Sequence, residues 1–195
     1  RARGSGSRAC WAALLGPGPG PAGAADAARR GLQGLASSPR PGRRVSQAAS
    51  DTGRYESFTV KGPRSGVTQT VTAWLPPQYG DLRYDRTRFP VVMVLGGVDV
   101  HIGQVIQRLD FATVASEEIR SGRVAPFVAV FPEINVALPL YTECTDYPGS
   151  VQAFTWLNQD VRNWATSTLR VSTDGRRWSV MGWSTGGYCA ALLHL

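Results

Sequence analysis

The sequence predicts an α/β fold, with a mostly parallel sheet covered by helices on both faces. Three observations lead to this prediction. Two segments with alternating polarity come first, and short, continuous apolar runs rich in β-branched residues follow them. From residue 89 onward these runs alternate with segments of helical periodicity, in the order strand, helix, strand, helix, strand, helix. That order is typical of parallel strands joined by covering helices.

The first part of the chain has a different composition from the rest. Residues 1–50 hold nine Gly and five Pro, and the run Gly16 to Pro21 cannot sustain a helix or a strand. We expect residues 1–53 to be a disordered Gly/Pro/Ala/Arg-rich tail or linker, and residues 54–195 to form the folded domain. A remnant of a signal peptide is an alternative interpretation of the short apolar stretch from Cys10 to Leu15.

The net charge of +7 comes entirely from residues 1–50, which hold eight Arg and one acidic residue, Asp26. Residues 51–195 carry 13 basic and 13 acidic groups. The predicted domain is therefore neutral, and nucleic-acid binding by it has no electrostatic support. No run of 18 apolar residues is present, so we predict no transmembrane helix in this chain.

The individual elements follow from local patterns. Residues 55–60 and 67–75 alternate in polarity and predict an antiparallel pair of strands that ends at Pro76-Pro77. The runs at 89–95, 125–131 and 177–181 predict strands buried in a parallel sheet. Spacings of three and four residues predict one amphipathic helix over 104–119 and another over about 151–168.

One motif carries chemistry: Gly182-Trp183-Ser184-Thr185-Gly186 fits the pattern G-x-S-x-G. The pattern alone is weak, but here it lies between a predicted strand and a predicted helix. A nucleophilic serine on such a sharp turn projects above the end of the sheet. The glycines two residues before and after it remove side chains that would clash. We therefore predict Ser184 as a nucleophile that follows a central strand, with Gly182 and Gly186 as the elbow glycines.

A second motif lies after the first buried strand, at Leu95-Gly96-Gly97-Val98-Asp99. Serine hydrolases with this turn stabilise an oxyanion with the N–H that follows the nucleophile and with another N–H from an earlier loop. We predict the backbone amides of Thr185 and Val98 for this role. An ordinary turn at the end of a strand is the alternative.

With these motifs the chain resembles the esterase D-like branch of the α/β-hydrolases, which includes S-formylglutathione hydrolases and secreted mycolyltransferases. The resemblance covers about residues 55–195 and is most specific at the elbow, Gly182 to Gly186. It implies an α/β-hydrolase fold that is incomplete at the C-terminus. It also implies Ser184 as nucleophile and Val98 and Thr185 as oxyanion donors. The chain departs from many relatives at Gly96, where they carry His or Asp, and from mycolyltransferases at Asp99, where they tend to carry Arg.

The other members of a catalytic triad are not evident. In this fold an acid and then a histidine follow the serine in sequence, but no acid lies after Ser184 in this chain. We expect both beyond residue 195, and this fragment to be inactive without them. His194 lies nearly three helical turns from Ser184 and cannot reach it. His101 precedes the serine, and we favour a surface position for it over one at the mouth of a pocket.

The sequence does not fix the roles of several other polar residues or of the cysteines. Asp99, His101 and Tyr141 are candidates for a substrate-binding loop, with Glu143 and Asp146 nearby. Asp99, Asp110 and Asp160 are interpreted as surface or loop carboxylates. The three cysteines, Cys10, Cys144 and Cys189, are odd in number and far apart. They suggest neither a disulfide framework nor a metal site, and we expect Cys189 to be a small buried apolar residue.

The sequence thus predicts a serine carboxylic-ester hydrolase that acts on a small-molecule or lipid ester through an acyl-serine intermediate. We expect no cofactor and no metal. Two alternatives stay open, an acyltransferase of the mycolyltransferase type and a non-catalytic binding protein with the same fold. The compartment is not determined, although secretion or the cell envelope is favoured over the cytoplasm.

Overall fold

The computed structural model describes residues 50–193, which form one five-stranded mixed sheet covered by helices. The strands lie in the order β1-β2-β4-β3-β5. Their bounds are β1 Arg54–Lys61, β2 Thr68–Leu75, β3 Val91–Leu95, β4 Val128–Pro132 and β5 Trp178–Gly182. Only β2 runs against the others, since it is antiparallel to both neighbours while β3 is parallel to β4 and β5. The prediction of a mostly parallel sheet is confirmed.

The strand that leads to the serine differs in one respect from its prediction. β5 pairs with β3 along its whole length, from Val91 opposite Trp178 to Leu95 opposite Gly182. No other strand within residues 50–193 pairs with its second edge. The prediction of a central strand is therefore wrong for the described sheet, in which β5 lies at the edge.

Helices pack on both faces of the sheet, as predicted. Alternate residues of β4 point to opposite sides: Val128 and Val130 join one apolar cluster, and Ala129 and Phe131 join the other. The first cluster includes Trp156, Leu157 and Cys189 from helical segments, and the second includes Val105, Phe111 and Ile119. Each face of the sheet is thereby shielded from water.

The predicted single helix over 104–119 is two helices, α1 (Ile102–Leu109) and α2 (Phe111–Arg120). They are separated by Asp110, which has a left-handed φ of 44°. The apolar spacing continues through this break, so periodicity alone does not reveal it. The break seats the Phe111 ring edge-on against Trp74 and Phe131, at centroid distances of 5.6 and 5.1 Å.

The second predicted helix is present at residues 153–168, with a change of winding inside it. It consists of α3 (Ala153–Thr155), a π-helical segment (Trp156–Val161) and α4 (Arg162–Thr168). The π-helical turns place four residues in buried positions. One of them, Trp156, donates from its indole Nε1 to the carbonyl of Glu133 at 3.2 Å, which ties this segment to the end of β4.

Asp160, another residue of the π-helical segment, is not a surface carboxylate. It is only 2% exposed. Its carboxylate oxygens accept hydrogen bonds from the backbone N–H of Ser65 at 2.9 Å and of Arg64 at 3.3 Å, in the turn between β1 and β2. The prediction failed because a polar residue at a helical position gives no sign of a distant backbone donor.

The interpretation of the cysteines is also corrected. Cys144 and Cys189 form a disulfide bond between the loop after β4 and the last helix, α5 (Thr185–Leu193). Cys189 is buried as expected, but as half of a cystine. The two residues are 45 positions apart, and only the packing of this loop on α5 brings them together.

Some predictions lie outside the described residues. The disordered tail and the signal-peptide remnant fall almost entirely on residues 1–49, and His194 lies beyond residue 193. No helix between residues 50 and 193 has the length and apolar character that spanning a bilayer requires.

Candidate active site

Ser184 lies in the tight turn between β5 and α5. β5 ends at Gly182 and α5 begins at Thr185, so two residues make the whole connection. Ser184 has a left-handed φ of 53°, a conformation that costs a non-glycine residue of order 1 kcal/mol or more. The residue is exposed at the end of the parallel strands. This is the geometry of a nucleophile elbow.

The two glycines of the motif are required by steric contact. A Cβ atom added to Gly182 would overlap the backbone of Gly186, and one added to Gly186 would overlap the backbone carbonyls of Leu95 and Gly96. Both obstacles are backbone atoms, which cannot move aside as a flexible side chain can. The strand, the turn and the helix can therefore approach this closely only with glycine at both positions.

The first residue of α5, Thr185, has an unbonded backbone N–H next to the serine. The N–H groups of Gly187 and Tyr188 donate to the Ser184 carbonyl at 2.9 and 3.3 Å. Within residues 50–193, the N–H of Thr185 donates to no protein acceptor. An unbonded N–H at a helix N-terminus is suited to a developing negative charge because the helix dipole adds to its partial positive charge.

The glycine-rich loop after β3 lies directly beside Ser184. A Cβ atom placed on Gly97 would be 3.3 Å from the serine Cβ and 3.7 Å from its Oγ. The next residue is Val98, whose N–H also has no acceptor within the described part of the chain. The structure thus brings together the loop and the turn that carry the two predicted oxyanion donors.

Two of the three candidates for substrate binding are in contact. The Tyr141 hydroxyl donates to Asp99 Oδ1 at 2.8 Å, across 42 residues of sequence. This hydrogen bond to the Asp99 carboxylate raises the pKa of Tyr141, because the phenol loses its donor when it ionises. Asp99 itself has a left-handed φ of 59°.

His101, the third candidate, is an exposed side chain near a carboxylate. Its side chain is 82% exposed, and Nδ1 lies 4.0 Å from Glu133 Oε2. The other carboxylate oxygen of Glu133 accepts from the backbone N–H groups of Ile134 and Asn135. These contacts favour the surface position over a role as a base.

No described residue is hydrogen-bonded to the serine hydroxyl. Ser184 Oγ forms no hydrogen bond with any protein group between residues 50 and 193, and His101 is the one histidine in that range. Nor do these residues contain a cluster of three His, Cys, Asp or Glu side chains that could hold a metal ion.

A cavity of about 110 Å³ lies away from the serine, between β5 and α4. Its lining includes Met93, Arg162, Trp178 and Leu193 and none of the residues of the candidate site. The exposed Ser184 does not line this cavity.

Sequence reasoning missed Glu133 and the Cys144–Cys189 link. Glu133 directly follows β4, at the carboxyl end of a parallel strand, where functional groups of such sheets collect. Its position after a predicted parallel strand could have marked Glu133 as a candidate from the sequence. The disulfide had none, because its partners are brought together only by the tertiary fold.

The sheet order, the covering helices and the strained serine turn define the class: the chain has the α/β-hydrolase fold. No protein-family model and no curated protein sequence matches it.

Solved structures with the same fold do match. The chain is similar to a ferulic acid esterase, with a TM-score of 0.62 and 20% identity over 71% of this chain and 52% of that one. It is also similar to an S-formylglutathione hydrolase from Agrobacterium tumefaciens, with a TM-score of 0.58 and 19% identity over 76% of this chain and 55% of that one. The chain thus spans about half the length of these structures.

Proposed function

We propose that this chain is the nucleophile-bearing part of a serine carboxylic-ester hydrolase. One observation carries the proposal: Ser184 is exposed on a left-handed turn at the end of a parallel strand, with the Gly97 loop beside it. Such a turn costs folding free energy, and strain of this kind is typical of functional sites. The similar structures are described as esterases and an S-formylglutathione hydrolase, which supports ester hydrolysis over other reactions of the fold.

In the proposed reaction, Ser184 Oγ attacks the carbonyl carbon of a small-molecule or lipid ester. The serine proton passes to a histidine, and that histidine returns it to the departing alcohol. Water then attacks the acyl-serine, which releases the carboxylic acid and restores the hydroxyl. The Thr185 and Val98 amides stabilise the oxyanion in both steps, each by about 3 kcal/mol.

The test is turnover of p-nitrophenyl acetate by the full-length protein and its Ser184→Ala variant. We expect a loss of at least about 1,000-fold, since the covalent step needs the hydroxyl. Ser179→Ala is the matched control, because Ser179 is also an exposed serine and lies in β5, the strand that leads into the Ser184 turn. Equal rates for Ser184→Ala and the wild type would refute the proposal.

Two further measurements separate the alternatives. Adding an acceptor alcohol and analysing the products distinguishes a hydrolase, which gives free acid, from an acyltransferase, which gives a new ester. A non-catalytic binding protein would give no turnover in any variant. We expect the 195-residue chain alone to be inactive, because no described residue is hydrogen-bonded to Ser184 Oγ.

A further inference from the structure

Two segments flank the Ser184 turn and are joined to each other by one contact. The first is the oxyanion loop, residues 96–99, and the second is the arm, residues 133–150. The hydrogen bond from Tyr141 Oη to Asp99 Oδ1 joins them at 2.8 Å. It is the sole hydrogen bond between these two segments in the described chain. This hydrogen bond therefore couples the oxyanion loop to the arm.

The contact acts on a strained point of the oxyanion loop. Asp99 is exposed and has a left-handed φ of 59°, in which a non-glycine residue is unstable by order 1 kcal/mol or more unless its surroundings hold it. Asp99 immediately follows Val98, the proposed oxyanion donor. A change of backbone conformation at Asp99 would therefore move the neighbouring amide.

The arm is firmly attached at the other end of the contact. Residues 142–145 form a tight turn, closed by a hydrogen bond of 2.9 Å from the Thr145 N–H to the Thr142 carbonyl. Its central residues, Glu143 and Cys144, both have left-handed φ values, of 48° and 57°. Cys144 is buried and disulfide-bonded to Cys189, five residues after the serine. Tyr141 is therefore held, through this turn, to α5, the helix that directly follows Ser184.

The hydroxyl of Tyr141 contributes little to the stability of the fold. The residue is 47% exposed and belongs to neither apolar cluster of the described core. The ordinary pKa of a tyrosine, 10.0, already keeps the phenol protonated at neutral pH, and the hydrogen bond to Asp99 raises the pKa of Tyr141 further. An exposed hydrogen bond contributes little to the free energy of unfolding. Removing the hydroxyl should therefore leave folding intact and report on function.

From these contacts we propose that Tyr141 is a positioning residue, which acts through Asp99 to hold the Val98 amide against the developing oxyanion. The proposal rests on the proposed esterase function. It assigns Tyr141 no contact with substrate. Its effect is to connect the oxyanion loop, through the arm and the disulfide, to the helix of the nucleophile.

The experiment compares Tyr141→Phe, Asp99→Ala and Asp99→Asn in the full-length protein with p-nitrophenyl acetate. We expect Tyr141→Phe and Asp99→Ala to lower kcat about tenfold with little change in KM, less than the loss of a whole oxyanion donor. The double variant should be no worse than either single one, because both break the same contact. Asp99→Asn should keep most of the activity, since its amide oxygen can still accept the hydroxyl.

Two other readouts separate positioning from a structural role. Inhibition by a boronic acid, which forms a tetrahedral anion on the serine, should weaken by the same factor as kcat falls. The midpoint of thermal unfolding should stay unchanged. Tyr147→Phe is the control, because Tyr147 is an exposed tyrosine of the same arm whose hydroxyl makes no hydrogen bond in the described chain. It should behave as the wild type does.

The outcomes are distinguishable from those of the esterase proposal. If Ser184→Ala is inactive while Tyr141→Phe has the kcat of the wild type, positioning by Tyr141 is refuted and the esterase stands. A loss in Tyr141→Phe that Asp99→Ala does not reproduce also refutes it, because Tyr141 would then act directly on the substrate. Full activity of Ser184→Ala refutes the esterase proposal itself.

Discussion

Strained residues of this chain are concentrated around the candidate active site. Five non-glycine residues of the described chain have left-handed φ values, and four of them are Asp99, Glu143, Cys144 and Ser184. Each costs of order 1–3 kcal/mol, which the rest of the fold must offset. The fifth, Asp110, separates two helices. Four of the five strained residues therefore lie in the oxyanion loop, the arm and the serine turn.

The close approach of Gly97 to the serine gives a prediction about activity. Alanine at position 97 would place a methyl group 3.3 Å from the serine Cβ and 3.7 Å from Oγ, in the space that an attacked carbonyl needs. We expect Gly97→Ala to lower kcat/KM for p-nitrophenyl acetate by about tenfold, a cost typical of a misplaced reacting group. The measurement is steady-state kinetics of the full-length protein.

A second glycine provides the control for that variant. A Cβ atom on Gly103, in α1, would meet no atom within 4 Å. Alanine is favoured over glycine inside a helix, so Gly103→Ala should raise the free energy of unfolding by up to about 1 kcal/mol and leave kcat/KM unchanged. Equal activity of the two alanine variants would show that Gly97 does not bound the reacting space.

Residues of the site differ in how far the sequence could predict them. Ser184 and its two glycines were predictable because the turn imposes its steric demands on adjacent positions. The contact between Tyr141 and Asp99 was not, since both were candidates but no local pattern pairs residues 42 positions apart. Local constraints are visible in a sequence, whereas contacts between distant loops depend on the whole packing.

The same distinction holds for the secondary structure. All five strands were predicted to within about three residues, because strand periodicity and flanking Pro and Gly mark them locally. The break at Asp110 and the π-helical turns at Trp156–Val161 were not predicted. In both places the apolar spacing stays compatible with an ordinary helix, and the deviation is imposed by packing against the sheet.

The contact of Asp160 with the β1–β2 turn should matter for stability. Replacing it by alanine leaves the Ser65 N–H, a buried donor, without its acceptor at 2.9 Å. An orphaned buried donor costs about 1–3 kcal/mol, so Asp160→Ala should lower the free energy of unfolding by that amount in urea titrations. Gln159→Ala is the control. It removes a contact with the exposed Arg64 guanidinium and should cost only a few tenths of a kcal/mol.

The ion pair between Glu118 of α2 and Arg123 predicts how the stability of the fold depends on pH. Glu118 is buried and accepts two hydrogen bonds of 2.6 Å from Arg123, which lower the pKa of Glu118 below its ordinary value of 4.5. A lowered pKa in the folded state stabilises the fold above the unfolded-state pKa. This stabilisation is lost as the pH falls through the folded-state value.

Glu118→Gln should therefore lower the free energy of unfolding at pH 7. The difference from the wild type should shrink as the pH is brought below 4.5. Urea titrations at pH 7, 5 and 3.5 measure it. Glu117→Gln, at an exposed neighbouring position, should show no such pH-dependent difference. A destabilisation by Glu118→Gln that is the same at all three values would contradict this account.

At the scale of the whole molecule, the described residues form a two-sided core around an open sheet whose edge strands are β1 and β5. The apolar clusters on the two faces are complete enough to bury Trp74, Phe131 and Trp156 fully. β5 is half covered along most of its length and has no described partner on its outer side. Unpaired edges of this kind invite pairing with another strand. The turn that carries the nucleophile directly follows this edge strand, so the surroundings of β5 bear on both stability and activity.

The Cys144–Cys189 disulfide is the covalent link between distant parts of this molecule. It closes a loop with a sequence separation of 45 residues that contains the end of the arm, the helical segments 153–168 and β5. Because a cross-link restricts the unfolded chain, a loop of this size is worth about 4 kcal/mol on the chain-entropy model. Stable disulfides are typical of oxidising compartments, which supports the expectation of secretion or the cell envelope.

Removing this link should therefore lower stability strongly. We expect the Cys144→Ala/Cys189→Ala double variant and the wild type in excess dithiothreitol to lose similar amounts of unfolding free energy, about 4 kcal/mol. Cys10→Ala, which leaves the pair intact, should match the wild type without reductant. Intact-mass measurement, with and without reductant, reports the bond itself through a gain of two hydrogens. An unfolding midpoint that reductant does not move, in a protein whose mass shows the bond broken, would mean that packing of the arm on α5 suffices without the cross-link.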